Sequence, residues 1–248
     1  MSRRSSSPGV IASIDRIVAY RYGAAVDQVE AVRARQRTAG SGEEPAVAAV
    51  VDEIVRRYSR ELAAVAALAG GAAALPGTGT AAAVMATGAD MAYTIGKLGE
   101  MVLAIGIAHG HDAVSIEERR AWVLAVLSMG KGAVSGVEGI AGRVGAEGGA
   151  RIVSSIGATQ LDQVNSKLGA RLVARLATEQ SAARLGRLLP FGIGAGVGAA
   201  GNVLIVRSVA RSADRFFLDP TAPPAPPPTR RRSGIDVDPD VIDVDVID

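Results

Sequence analysis

Residues 188–217 read LLPFGIGAGVGAAGNVLIVRSVARSADRFF. Proline disfavours helical geometry in the residue before it and is tolerated in a first helical turn, so Leu189-Pro190 marks a boundary from which a helix restarts at Pro190. Inside that helix Gly192, Gly194, Gly196, Gly198 and Gly201 each cost about 1 kcal/mol relative to alanine. Close backbone packing is the compensation such a stretch calls for. Small residues four apart, Gly192 with Gly196 and Gly194 with Gly198, remove the side chains that hold helix axes apart. Beyond them Val203 to Val206 supply bulk, Asn202 can bond across a helix pair or be a satisfied core amide, and Arg207, Arg211 and Arg215 recur every fourth residue. That spacing gathers three cations on one face, which suits lipid phosphates or plain solvation.

A second uncharged region lies upstream. From Leu62 to Ala89 there is no charge over 28 residues, and its middle reads Leu75-Pro76-Gly77-Thr78-Gly79. A continuous helix of that length, at about 1.5 Å per residue, would exceed a bilayer core of about 30 Å. The turn at Pro76, Gly77 and Gly79 divides it into halves that are each too short to span. A helical hairpin follows, dipping into a membrane from one side or buried in protein. The run from Leu188 to Val206 has 19 residues but is only weakly hydrophobic, being largely glycine and alanine. Asp90 closes the first run; in lipid a carboxylate there marks the interface or a buried partner, and otherwise it faces solvent.

Helix formers dominate, aromatic residues are 3%, and no run alternates outside the last residues, which makes the chain all-α: a helical domain with two Pro/Gly-rich hairpins, flanked by disordered termini. Its 248 residues can bury a sizeable core. No cysteine is present, so there is neither a disulfide framework nor thiolate chemistry. The net charge of +2 hides an asymmetry: from Leu218 onward three arginines stand against seven aspartates, so the tail carries −4 and the remainder +6. A mildly basic body suits an anionic membrane surface, whereas nucleic acid is excluded by modest charge density and too few aromatics to stack bases.

The chain divides as follows. Residues 1–9, with Arg3-Arg4 but no apolar h-region, read as a disordered start of a cytoplasmic protein. Residues 10–45 hold a helix from Ile11 to about Gln36, interrupted near Gly23, and a loop. Residues 46–217 are the main helical domain, opened by Glu43-Glu44-Pro45. Val47, Val50, Val51, Ile54, Val55, Tyr58, Leu62 and Val65 trace its strongest amphipathic helix. The helix after Asp90 carries Lys97 and Glu100 and stops at His109-Gly110-His111-Asp112. Ser115 with Glu118 is a capping box opening a helix through Trp122. Residues 130–149 are glycine-rich, and Leu161, Val164, Leu168, Leu172 and Leu176 trace a further helix with Arg171 and Arg175 off its face. Residues 218–248 are a Pro-rich spacer and an acidic end, in which 235–248 alternates branched apolar residues with aspartate. That end is disordered in isolation or adds as a strand to a partner's sheet.

Three features taken in order, a Leu-Pro-Gly-x-Gly turn feeding a helix with Asp90, the break Ile107-Ala108-His109-Gly110-His111-Asp112, and a late basic helix with Leu-Pro-x-Gly-x-Gly, Gly-Asn, Arg, Ala and Phe, resemble the EcsC family over roughly Ala46 to Phe217. His109 stands where that family's tyrosine is expected. That family is named for a bacterial protein encoded beside an ABC transporter; the resemblance implies a helical domain associated with bacterial membranes and a function not established as enzymatic, and supplies no catalytic residues.

The chemistry-bearing motifs are weak. Gly196-Val-Gly-Ala-Ala-Gly201 spells G-x-G-x-x-G but lacks the preceding strand a dinucleotide site needs. Gly130-Lys131-Gly132 lacks P-loop spacing. His109 and His111 with Asp112, Glu117 and Glu118 offer imidazole and carboxylate to a metal, or cap a helix end. No catalytic, cofactor-binding or metal residue is assigned. The expectation is a non-enzymatic, membrane-associated accessory protein on the cytoplasmic face, partnered by membrane lipids or a membrane protein such as an ABC transporter. The alternatives are a soluble helical protein holding a lipid or apolar ligand in a glycine-lined groove, and a hydrolase or metal enzyme using the two histidines.

Overall fold

The computed structural model describes residues 7–40, 44–73, 80–113, 115–129, 144, 148–186 and 194–218, with side chains outside 7–10, 66–91 and 177–201. These residues form eight helices and no strand: α1 (Ser7–Tyr20), α2 (Tyr22–Ala39), α3 (Val47–Ala73), α4 (Thr80–Ala108), α5 (Ile116–Met129), α6 (Gly149–Ser155), α7 (Ala158–Gly186) and α8 (Gly194–Phe217). The chain is all-α. Pro76, Gly77, Gly79, Pro190 and Gly192, the turns of the two expected hairpins, lie outside the described residues, as do most of 130–149 and the tail from Asp219.

Helix α4 is the hub. Its C-terminal half, Met101 to Ala108, is apolar at every position, and all eight residues are buried. A helix without a polar face must be covered on every side. Helices α1, α2, α3, α5 and α8 all pack against it. Helix α3 contributes Val50, Ile54, Tyr58 and Leu62 from the spaced set read in the sequence, while Val47 at its first turn stays exposed. Helix α5 is buried throughout Ala121 to Met129 and rests on α7, which presents Leu161, Val164, Leu168 and Leu172. Full burial of such side chains contributes roughly 1.5–3 kcal/mol each.

The N-terminal helices differ from the sequence reading in two respects. Helix α1 begins at Ser7, inside the stretch expected to be disordered; serine and proline suit a first turn. The break falls at Arg21 rather than Gly23. The Arg21 side chain is bound to Glu100 of α4 at 2.8 Å, which fixes where α1 ends and α2 begins. Both helices bury residues in the same core as α3 to α8, among them Ile14, Val18, Val29 and Val32.

Helix ends are closed by named partners. At the end of α4, Gly110 adopts φ 83°, His111 N–H bonds to the Gly106 carbonyl at 3.0 Å and Gly110 N–H to that of Ile107 at 2.9 Å. This pair of bonds is a Schellman motif, which needs a left-handed residue and favours glycine. The α5 capping box closes reciprocally: Ser115 N–H donates to Glu118 Oε2 at 3.0 Å and Glu118 N–H to Ser115 Oγ at 3.1 Å.

Glycine in α4 makes room for neighbours. A Cβ on Gly106 would lie 2.8 Å from the Phe217 ring and 3.1 Å from Trp122, whereas one on Gly23 would meet nothing within 4 Å. Gly106→Ala is therefore expected to destabilise by about 1–3 kcal/mol through overpacking. Gly23→Ala, in an exposed helix, is expected to stabilise by about 0.4–1 kcal/mol. Urea unfolding of the two variants beside the parent checks both signs.

Candidate functional site

Helix α8 has two unlike faces. Val206, Ala210, Ala213, Phe216 and Phe217 are buried, and the helix packs along α3 and on α4. The Asn202 Nδ2 group donates to the Leu62 carbonyl of α3 at 3.1 Å, joining residues 140 apart in sequence. Gly194, Gly196 and Gly198 lie in the first turns of this helix, so the G-x-G-x-x-G spelling sits on a helix with no strand before it among the described residues. Asp90 lies within α4.

The opposite face is open. Leu204, Arg207, Arg211, Arg215 and Leu218 follow one another at spacings of three and four, which aligns them on one side of the helix. All five are exposed, Leu204 to 65%, and Ile205 beside them to 47%. Arg215 Nε donates to the Arg211 carbonyl at 3.3 Å. Among the described residues no carboxylate forms an ion pair with any of the three arginines. Asp214, the nearest acid in sequence, turns the other way to His109.

That turn belongs to a knot at the base of α8. His109 Nε2–H donates to Asp214 Oδ1 at 2.8 Å, and His111 Nε2–H to the Phe217 carbonyl at 2.8 Å. Phe217 stands edge-on to Trp122 with ring centroids 5.0 Å apart. Gly148 N–H takes the Arg215 carbonyl at 3.1 Å, so two carbonyls at the C-terminal end of α8 find partners. On the other side, Asp112 accepts from the Tyr22 hydroxyl at 3.0 Å, and the Arg119 guanidinium lies 3.9 Å from the Tyr22 ring centre. Burial, with the Asp112 carboxylate adding to it, pushes the Tyr22 hydroxyl up to about 12. The two histidines thus close helix ends, and no group of three or more metal-ligating side chains converges among the described residues.

A polar seam runs elsewhere on α4. Lys97 bonds Glu61 at 2.9 Å and Glu100 at 3.2 Å, Glu100 also accepts from Arg21, and the Tyr93 hydroxyl donates to Glu61 at 2.9 Å. Burial pushes the Glu61 carboxyl up, but the bonds from Lys97 and Tyr93 outweigh it and hold it below the usual range. In the sequence Lys97 and Glu100 stand only as charges on an otherwise apolar helix. Their spacing of three was the signal that they act as a pair.

No helix among the described residues is long and apolar enough to cross a membrane. Comparisons with protein-family models, curated proteins and solved structures give no match to this chain.

Burial lowers the His109 imidazole below its ordinary value of 6.5, and the Asp214 hydrogen bond only partly opposes this. The unfolded chain then takes up a proton there before the folded one does, so stability falls as pH drops below about 6.5, until folded His109 is itself protonated. Thermal unfolding between pH 8 and pH 5 is expected to show that loss, and His109→Gln to flatten it in this window.

Proposed function

We propose that this chain is a non-enzymatic accessory or interaction protein that lies on an anionic membrane surface, on its cytoplasmic side, through the outward face of α8. The observation that carries the reading is the row of exposed Arg207, Arg211 and Arg215, without an ion pair among the described residues, beginning where exposed Leu204 and Ile205 end. Arginine near an anionic leaflet contributes about 1 kcal/mol per residue, and adjacent apolar side chains add shallow insertion without spanning. The absence of a spanning helix among the described residues is compatible with that mode. The resemblance to the EcsC family extends the proposal to a membrane-protein partner of the ABC-transporter class. The acidic segment 235–248 is the part of the chain with strand-like alternation to offer such a partner.

Co-sedimentation with phosphatidylserine-containing vesicles tests the reading. The parent is expected to bind at low salt, to be released by high salt, and to ignore phosphatidylcholine vesicles. Combining Arg207→Gln, Arg211→Gln and Arg215→Gln is expected to weaken binding by on the order of 100-fold, given about 1 kcal/mol for each arginine. Binding that is indifferent to the three substitutions, or recovery wholly in the soluble fraction, contradicts the proposal; the latter outcome favours the ligand-binding alternative. Capture of a membrane protein by the full chain but not by residues 1–218 assigns the partner to the tail.

A further inference from the structure

A groove of about 460 Å³ lies where α1 crosses α4, lined by residues that include Arg16, Ile17, Tyr20, Ala92, Tyr93 and Gly96. Its floor is apolar: Ile17 of α1 seats against the bare backbone of Gly96, where a Cβ would stand 3.1 Å from Ile17 Cδ1. Its rim is polar and unequal in charge. Lys97, Arg21 and Glu100 also border the groove; Glu100 holds both cations, and Lys97 is bound by Glu61 as well. Those two cations and two carboxylates cancel.

Arg16 does not take part in that balance. It is exposed on the rim, and among the described residues it has no ion pair. Arg21 donates to Glu100 through Nε, and its side chain remains half exposed at the edge of the groove. Beside them Tyr20 stands 81% exposed, an aromatic ring left outside the core, and Tyr93 forms the opposite wall. The size falls within the range of small-molecule sites, roughly 300–1,000 Å³. An uncompensated guanidinium over an apolar floor fits a single anionic group joined to a short apolar body.

We infer that the groove between α1 and α4 binds a single-chain amphiphile carrying one anionic head, with Arg16 on the head and Ile17, Ala92, Gly96 and the two tyrosines along the chain. The site is separate from the outward face of α8, so it stands whether or not that face binds membranes. Calorimetric titration of the full chain with decanoate, below the concentration at which it forms micelles, tests it beside inorganic phosphate and 1-octanol. Decanoate is expected to bind, phosphate and octanol to bind at least tenfold more weakly, and amide NMR shifts to centre on Ile17, Tyr93 and Gly96. Arg16→Gln is expected to weaken decanoate by about tenfold or more, the loss of one charge-assisted contact. Ala92→Trp, on the groove wall rather than in the core, is expected to abolish binding with the thermal transition retained. Decanoate failing to bind, phosphate or octanol matching it, or neither substitution altering it would overturn the inference.

Discussion

Eight consecutive buried residues at the end of α4 leave that helix no surface of its own. Burial on all sides forces five other helices to share it, and the glycines of α4 decide how near they come. Gly99 admits Val123 of α5, Gly106 admits Phe217 of α8, and Gly96 admits Ile17 of α1. These three glycines of α4 are contact points between helices, and the roughly 1 kcal/mol each gives up in helix propensity is offset by side chains seated against the exposed backbone.

A helix so covered can carry charge only where it leaves the core, and both kinds of site arise there. Towards its middle, Lys97 and Glu100 emerge among α1, α2 and α3 and find Arg21 and Glu61. At its C terminus, Arg33 of α2 donates to the Ala108 carbonyl at 2.9 Å, and the histidines of the following turn reach α8. The last turn of α8 is therefore anchored through its backbone and through Phe216 and Phe217, while Arg211 and Arg215 are left pointing away. The helix that carries the arginine row is fixed by contacts made on its other side.

Periodicity made the amphipathic helices legible. The Val50 to Leu62 face of α3, the Leu161 to Leu172 face of α7 and the three-residue spacing of the α5 capping box all follow from local rules that tertiary contacts then reinforce. The face of Arg207, Arg211 and Arg215 was legible for the same reason. The α1–α2 boundary was not, because Gly23 is the stronger local breaker and the bend at Arg21 is set by an acid 79 residues away. The partners of His109 and His111, Asp214 and the Phe217 carbonyl, were hidden for a similar reason, being over a hundred residues distant. The groove between α1 and α4 was invisible in sequence, since it depends on which rotation of α1 meets Gly96.

Docking on an anionic surface requires α8 to be a helix with one face in the core and the other turned to the membrane. A chain without cysteine permits the direct measurement. An environment-sensitive fluorophore is placed on single cysteines introduced one at a time at Leu204, Ile205, Arg207, Ser208, Ala210, Arg211, Ala213 and Arg215, and its emission is read with and without phosphatidylserine vesicles. A blue shift is expected on vesicle addition at 204, 205, 207, 211 and 215, and none at 210 and 213, which are buried in the core. Equal shifts at every position, or none on the arginine side, would contradict docking through this face.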